Sequence, residues 1–193
     1  MTLKKGEITK QKIIEASAPI FNQKGYAATS IDDIIKATGL KQGGIYRHFS
    51  SKEDIAKACF QYSAELQAKR LVESTTGCKS AKEEIFAILD EFVSIVKNPH
   101  IAGGCPILNT SIDCDDTNEE MKELVQIAVN RWKLLISDIL YKGISQGEFN
   151  KDLDIDEFTN TFIATIEGGV FLSKLYDDIN CIAKVVNYLK KQF

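Results

Sequence analysis

Apolar residues recur every three to four positions along almost the whole chain, and this period constrains the fold more than any other feature. Ile13, Ile14, Ala16, Ala18, Ile20 and Phe21 form one such stripe, which Gly25 ends. Ile85, Leu89, Phe92 and Val96 form another, closed by Pro99. From Asn118 to about Ser145, Met121, Leu124, Ala128, Trp132, Leu135 and Ile139 mark a long helix. Phe158, Phe162, Ile166 and Val170 mark one more, and Ile179, Ala183, Val186 and Lys190 trace a terminal one. No segment shows the strict alternation of a half-buried strand, so the chain is predicted to be all-α, with about nine helices.

The first third has a finer grain. Thr29 or Ser30 is placed to cap a short helix that turns Ile31, Ile34 and Ile35 inward. Asp32 and Asp33 sit in its first turn, where the helix dipole favours carboxylates, and Gly39 stops it. Only Thr38-Gly39-Leu40-Lys41-Gln42 separates it from the next short segment, Gly43-Gly44-Ile45-Tyr46-Arg47-His48-Phe49. Ser50 with Glu53 has the spacing of a capping box for a longer helix, with Ile55, Cys59, Tyr62 and Leu66 on one face. Two short helices around a tight turn are helix–turn–helix grammar, in which the second helix is offered to the DNA major groove. Each glycine in that second helix costs ~1 kcal/mol relative to alanine. In return, a surface without Cβ atoms lets backbone come close to bases or phosphates.

Charge agrees with that placement. The 193-residue chain has a net charge of -3. Up to Ala64 there are ten Lys/Arg against six Asp/Glu, and from Glu65 onward 14 against 21. A basic first third on an acidic body suits a local polyanion-binding surface. Five cysteines, widely spaced, form no C-x-x-C pair, and His48 and His100 complete no zinc spacing, so the thiols are read as reduced and neither metal nor cofactor is expected. No run approaches the ~18 apolar residues of a membrane span. The basic N-terminus has no apolar stretch behind it, and the protein is expected to be cytoplasmic.

The stretch from Gly25 to Ile55 closely resembles the N-terminal domain of the TetR family of bacterial transcriptional repressors. The resemblance is carried by Gly25-Tyr26, Thr29-Ser30, the Ile-Ile-Lys-Ala-Thr-Gly run, the Ile-Tyr-x-x-Phe ending and Ser51-Lys52-Glu53. It implies an all-α homodimer with a DNA-binding domain over residues 1–53 and an effector-binding and dimerisation domain over 54–193, paired through the last two helices. It also implies that double-stranded operator DNA and a small-molecule effector are the partners. On the DNA side the expected residues are Thr29, Lys41, Gln42, Gly43, Gly44, Tyr46, Arg47, His48 and Lys52, with Lys4, Lys5 and Lys10 as a basic arm. Lys52 is singled out because a cation in the first turn of a helix opposes the dipole and makes most sense beside a phosphate. Gln suits adenine, and Lys suits guanine or phosphate.

The body is less legible. His100 to Asp116 is its least helical stretch and resembles a Gly-Cys-x-x-x-Asn segment of one branch of the family, where it enters a helix lining the effector cavity. Cys105 precedes Pro106 at an expected helix N-terminus, a position that can raise the thiolate fraction, so a redox- or electrophile-sensing regulator is the alternative reading. Phe92, Trp132, Phe162 and Phe171 are, with Cys105, candidates to line a cavity, although aromatic residues at helical spacing also build ordinary core. Three carboxylates in Asp113-Cys114-Asp115-Asp116 lack the spacing of a calcium loop and read as a solvated loop. An enzyme built on the C-terminal cavity is the remote alternative.

Overall fold

The computed structural model describes residues 5–193 and contains nine helices and no strand among them. In chain order these are α1 Lys5–Ala28, α2 Ile31–Thr38, α3 Gln42–Ile45, α4 Lys52–Ser74, α5 Ala81–Lys97, α6 Pro106–Cys114, α7 Glu119–Ser145, α8 Ile155–Leu175 and α9 Asn180–Lys190. They form two compact units, with borders that fall inside α4 and α7. The first holds the chain up to Glu65 together with Ile101–Val125, and the second holds Leu66–His100 with Gln126–Phe193.

In the first unit, Ile13, Ala18, Ile34, Ile45, Phe49, Ile55, Ala56, Cys59 and Phe60 are buried. Gly25 breaks the helical path of α1 with φ 77 and ψ 171, so the stop read from the sequence is real, although one more turn follows it. Ser30 caps α2 in a reciprocal box. Its hydroxyl accepts from the Asp33 N–H at 3.1 Å, and the Ser30 N–H donates to the Asp33 carboxylate at 3.0 Å. At the other end Gly39 takes the left-handed conformation, with φ 69, and donates its N–H to the Ile35 carbonyl.

The cap of α4 lies one residue beyond the expected one. The Ser51 hydroxyl accepts the Asp54 N–H at 3.0 Å, and the Asp54 carboxylate accepts the Ser50 N–H at 3.2 Å. Glu53 is drawn elsewhere, to the Asn118 amide at 2.9 Å and to Lys57.

In the second unit, Ile85, Leu89, Phe92, Trp132, Leu140, Phe162, Ile166, Val170, Ile182 and Val186 are buried. Phe92 and Trp132 meet edge to face with centroids 5.2 Å apart. Gly169 allows α8 and α9 to close on each other, since a Cβ there would come within 2.7 Å of the Ile182 side chain. Gly168, its neighbour, faces open space. The inward face of α9 is Ile182, Val186 and Leu189, and the stripe read through Ile179 is displaced because Ile179 precedes the helix and is exposed.

Candidate nucleic-acid interface

Three local features hold α3 in place behind α2. The Thr38 hydroxyl donates to the Ile34 carbonyl at 2.8 Å and accepts the Leu40 N–H at 3.2 Å, so the turn is bonded within itself. Ile45 is fully buried, and Phe49 nearly so, which anchors the single turn of α3 from behind. Burying an isoleucine side chain fully stabilises by ~1.5–3 kcal/mol, comparable to the ~2 kcal/mol that the two glycines cost. The backbone continues past α3 through His48 and Phe49, whose N–H groups both donate to the Ile45 carbonyl.

The outward face of this turn carries Lys41, Gln42, Gly43, Tyr46 and Arg47, all exposed, with Gly44 and His48 half-buried beside them. Lys41 caps the turn through its backbone alone and leaves its side chain out of the cap. A Cβ on Gly43 would meet nothing within 4 Å, and one on Gly44 would touch only the Leu40 side chain at 3.8 Å. Neither glycine is therefore required by packing within the chain. Lys10 places its ammonium 5.2 Å from the centre of the Phe49 ring. Lys4 lies outside the described residues.

Two of the candidate residues have their polar atoms bonded within the chain. Thr29 is buried, and its hydroxyl donates to the Gly25 carbonyl at 2.7 Å, which leaves Ser30 as the cap of α2. Lys52 donates to the Tyr26 carbonyl at 2.8 Å and to the Thr29 carbonyl at 2.9 Å, and its ammonium sits 4.2 Å from the Tyr26 ring centre. The cation at the start of α4 is thus held by carbonyls in the last turn of α1 and just beyond it. An ammonium has three donors, and these carbonyls take two of them. Nearby, Lys24 pairs with Asp33 at 2.8 Å. That hydrogen bond, followed by those from Ser30, holds the Asp33 carboxyl far below the usual carboxylate range.

The candidate effector residues are divided between the two units. Phe92, Trp132 and Phe162 are buried in the second unit, where the Trp132 indole N–H has no hydrogen-bond partner among the described residues. Phe171 is 51% exposed on α8. Cys105 belongs to the first unit, buried at 2% exposure where α6 begins.

Three residues of this unit were not legible as site residues in the sequence. Asn22 of α1 donates to the Ala102 and Gly104 carbonyls at 2.9 and 3.1 Å. Asn109 of α6 answers with bonds to the Asn22 carbonyl and side chain and to the Gly103 carbonyl. The Gly-Cys-x-x-x-Asn segment is therefore a clasp on α1. Asp113, read as part of a solvated loop, lies in α6 and accepts the Tyr26 N–H at 2.7 Å.

Comparison with known proteins agrees with this architecture. Residues 13–59 match the family described as "Bacterial regulatory proteins, tetR family", and residues 81–189 match "Tetracyclin repressor-like, C-terminal domain". The fold resembles the crystal structure of a TetR transcriptional regulator from Chloroflexus aurantiacus J-10-FL, with a TM-score of 0.94 and 39% identity, covering 98% of this chain and 96% of that one. It also resembles a TetR-family regulator from Cytophaga hutchinsonii, with a TM-score of 0.91 and 33% identity over 99% and 96% of the two chains. Among curated relatives, the HTH-type transcriptional repressor DhaR of Mycobacterium sp. (strain GP1) is 25% identical over 168 residues, 86% of this chain and 82% of that protein. No helix among the described residues is long and apolar enough to cross a membrane.

Proposed function

The chain belongs to the TetR family of bacterial transcriptional regulators, and from that premise we propose that it is a repressor that binds a palindromic operator as a homodimer and is released by a small molecule. The observation that carries the reading is the outward face of α3. Lys41, Gln42, Tyr46 and Arg47 surround two glycines that no packing within the chain demands, and Ile45 and Phe49 brace the turn from behind. We assign base reading to Lys41 and Gln42, and phosphate contact to Tyr46, Arg47, His48 and the third donor of Lys52. Thr29 contributes by fixing the turn before α2 rather than by offering its hydroxyl.

We divide the chain into a DNA-binding domain, residues 1–53, and an effector-binding and dimerisation domain, residues 54–193. Within the latter, Ile101–Val125 packs with the DNA-binding residues and supplies the Asn109 and Asp113 contacts to α1. Phe171, Leu172, Leu175, Tyr176 and Tyr188 leave an exposed apolar surface on α8, α9 and the turn between them, which we read as the dimer face. An effector acts through a difference in affinity between a DNA-competent state and a released one. Cys105 is 2% exposed, which favours non-covalent sensing over the thiol-based alternative. The body is read as a sensor rather than as an enzyme.

Selection of bound fragments from a random DNA pool by the purified protein tests the function, and a palindromic consensus is expected. Failure to enrich any sequence at low salt would overturn the reading. The Gly43→Ala variant then separates folding from recognition. The new methyl meets nothing in the free chain and replaces a poor helix former, so stability is expected to hold or rise by up to ~1 kcal/mol. Operator affinity is expected to fall about tenfold, the lower part of the ~1–3 kcal/mol range for losing one base contact. Unchanged affinity in a gel-shift titration would remove the close approach of backbone to DNA.

A further inference from the structure

The first unit contains a cavity of about 50 Å³ walled by α1, α4, α6 and the start of α7. A water needs ~10–15 Å³ of such space, so the cavity takes a short chain or a single ring rather than a large molecule. Phe21, Ala56, Phe60 and Met121 supply apolar walls, and no lysine, arginine or histidine lines it.

Its ionised group is the Asp113 carboxylate. One oxygen accepts the Tyr26 N–H at 2.7 Å, which orients the carboxylate beside Gly25. A carboxylate offers about four acceptor sites, and that bond uses one. Two thiols share the lining and carry no charge to compete. Burial pushes Cys59 up to about 12. Cys114 is raised by burial, then by Asp115 and Asp113, with Lys122 opposing, so its surroundings are net negative. Lys122 directs its ammonium to the Asp115 carbonyl, and Lys52 directs its own to the Tyr26 and Thr29 carbonyls.

Asn22, Ser63, Thr110, Thr117 and Asn118 add neutral polar groups to the lining, and Asp113 is itself solvent-exposed. A carboxylate beside apolar walls selects a small cation with a hydrocarbon part. We propose that this cavity binds a small organic ammonium ion, its hydrocarbon held between Phe21, Phe60 and Met121 and its ammonium on Asp113. The ligand draws on the same carboxylate that holds Tyr26 at the Gly25 break. Its presence is therefore felt at the junction of α1 and α2, whose carbonyls also hold Lys52. The consequence for DNA rests on the repressor reading. Binding itself does not.

The chain has two methionines, Met1 and Met121, so methyl-¹³C-methionine labelling gives a two-signal spectrum with one reporter in the cavity wall. Benzylamine, a cation at neutral pH, and benzyl alcohol, its neutral counterpart, are titrated in turn without DNA. Benzylamine is expected to move the Met121 signal saturably, and benzyl alcohol to bind at least tenfold more weakly. Asp113→Asn keeps an oxygen for the Tyr26 N–H and is expected to reduce benzylamine to the level of the alcohol. A Met121 signal that neither compound moves, or that both move equally in the unsubstituted protein, overturns the proposal even if the variant fails to fold. Because no DNA is present, this outcome stands apart from the operator selection.

Discussion

Replacing Phe171 and Leu175 together with aspartate is expected to give a folded monomer that has lost between a hundredfold and ten-thousandfold of its operator affinity. The two residues stand one helical turn apart on α8, 51% and 59% exposed, and so contribute little to the fold of a single chain. At the centre of a helix bundle formed with a second copy they would be buried. There a carboxylate without a partner costs several kcal/mol, and symmetry places each substitution in the interface twice. The loss of affinity follows from linkage rather than from any contact with DNA. Once one recognition helix of a dimer is docked, the second binds its half-site as an intramolecular event, and linking two modules in this way adds ~10²–10⁴ to avidity. Sedimentation velocity together with gel-shift titration checks both halves of the result. A variant that remains dimeric would move the interface away from α8. A monomer with undiminished affinity would remove the two-half-site model.

The helices were legible because their causes are local. The α2 stop at Gly39 and the Pro106 start of α6 each follow from one residue type in one position. Errors of one residue arose where two local solutions compete. Ser50–Glu53 and Ser51–Asp54 both have capping spacing, and the second is realised because Glu53 finds Asn118, 65 residues away. Lys52 shows the same limit in its chemistry. A cation in the first turn of a helix opposes the dipole and reads in the sequence as facing a phosphate, yet in the free chain that ammonium bonds the Tyr26 and Thr29 carbonyls. Asp113 pairs with a backbone N–H 87 residues away, a distance over which no periodicity carries information.

Gly103→Ala is expected to be the most destabilising conservative change in the recognition unit, by about 4 kcal/mol. Gly103 has φ 113, a conformation that side chains with a Cβ rarely adopt, and the added methyl would stand 2.9 Å from both the carbonyl oxygen and the side-chain nitrogen of Asn22. Strain of that kind costs ~1–3 kcal/mol. Relieving the collision moves the loop off α1, and the Asn22 bonds to Ala102 and Gly104 and the Asn109 bond to Gly103 then weaken together, at ~1 kcal/mol each. For a chain of this size each kcal/mol lowers the midpoint by ~2–4 °C, so thermal melting should shift down by roughly 10 °C. Gly77→Ala is the control, because Gly77 has a comparable φ of 86 but nothing within 4 Å of its Cβ position. It should cost ~1–2 kcal/mol through strain alone. The excess for Gly103 measures the clasp between Asn22 and the Gly-Cys-x-x-x-Asn segment. If both variants melt at one temperature, the clasp contributes nothing to stability, and the placement of Asn109 and Asp113 against α1 needs another cause.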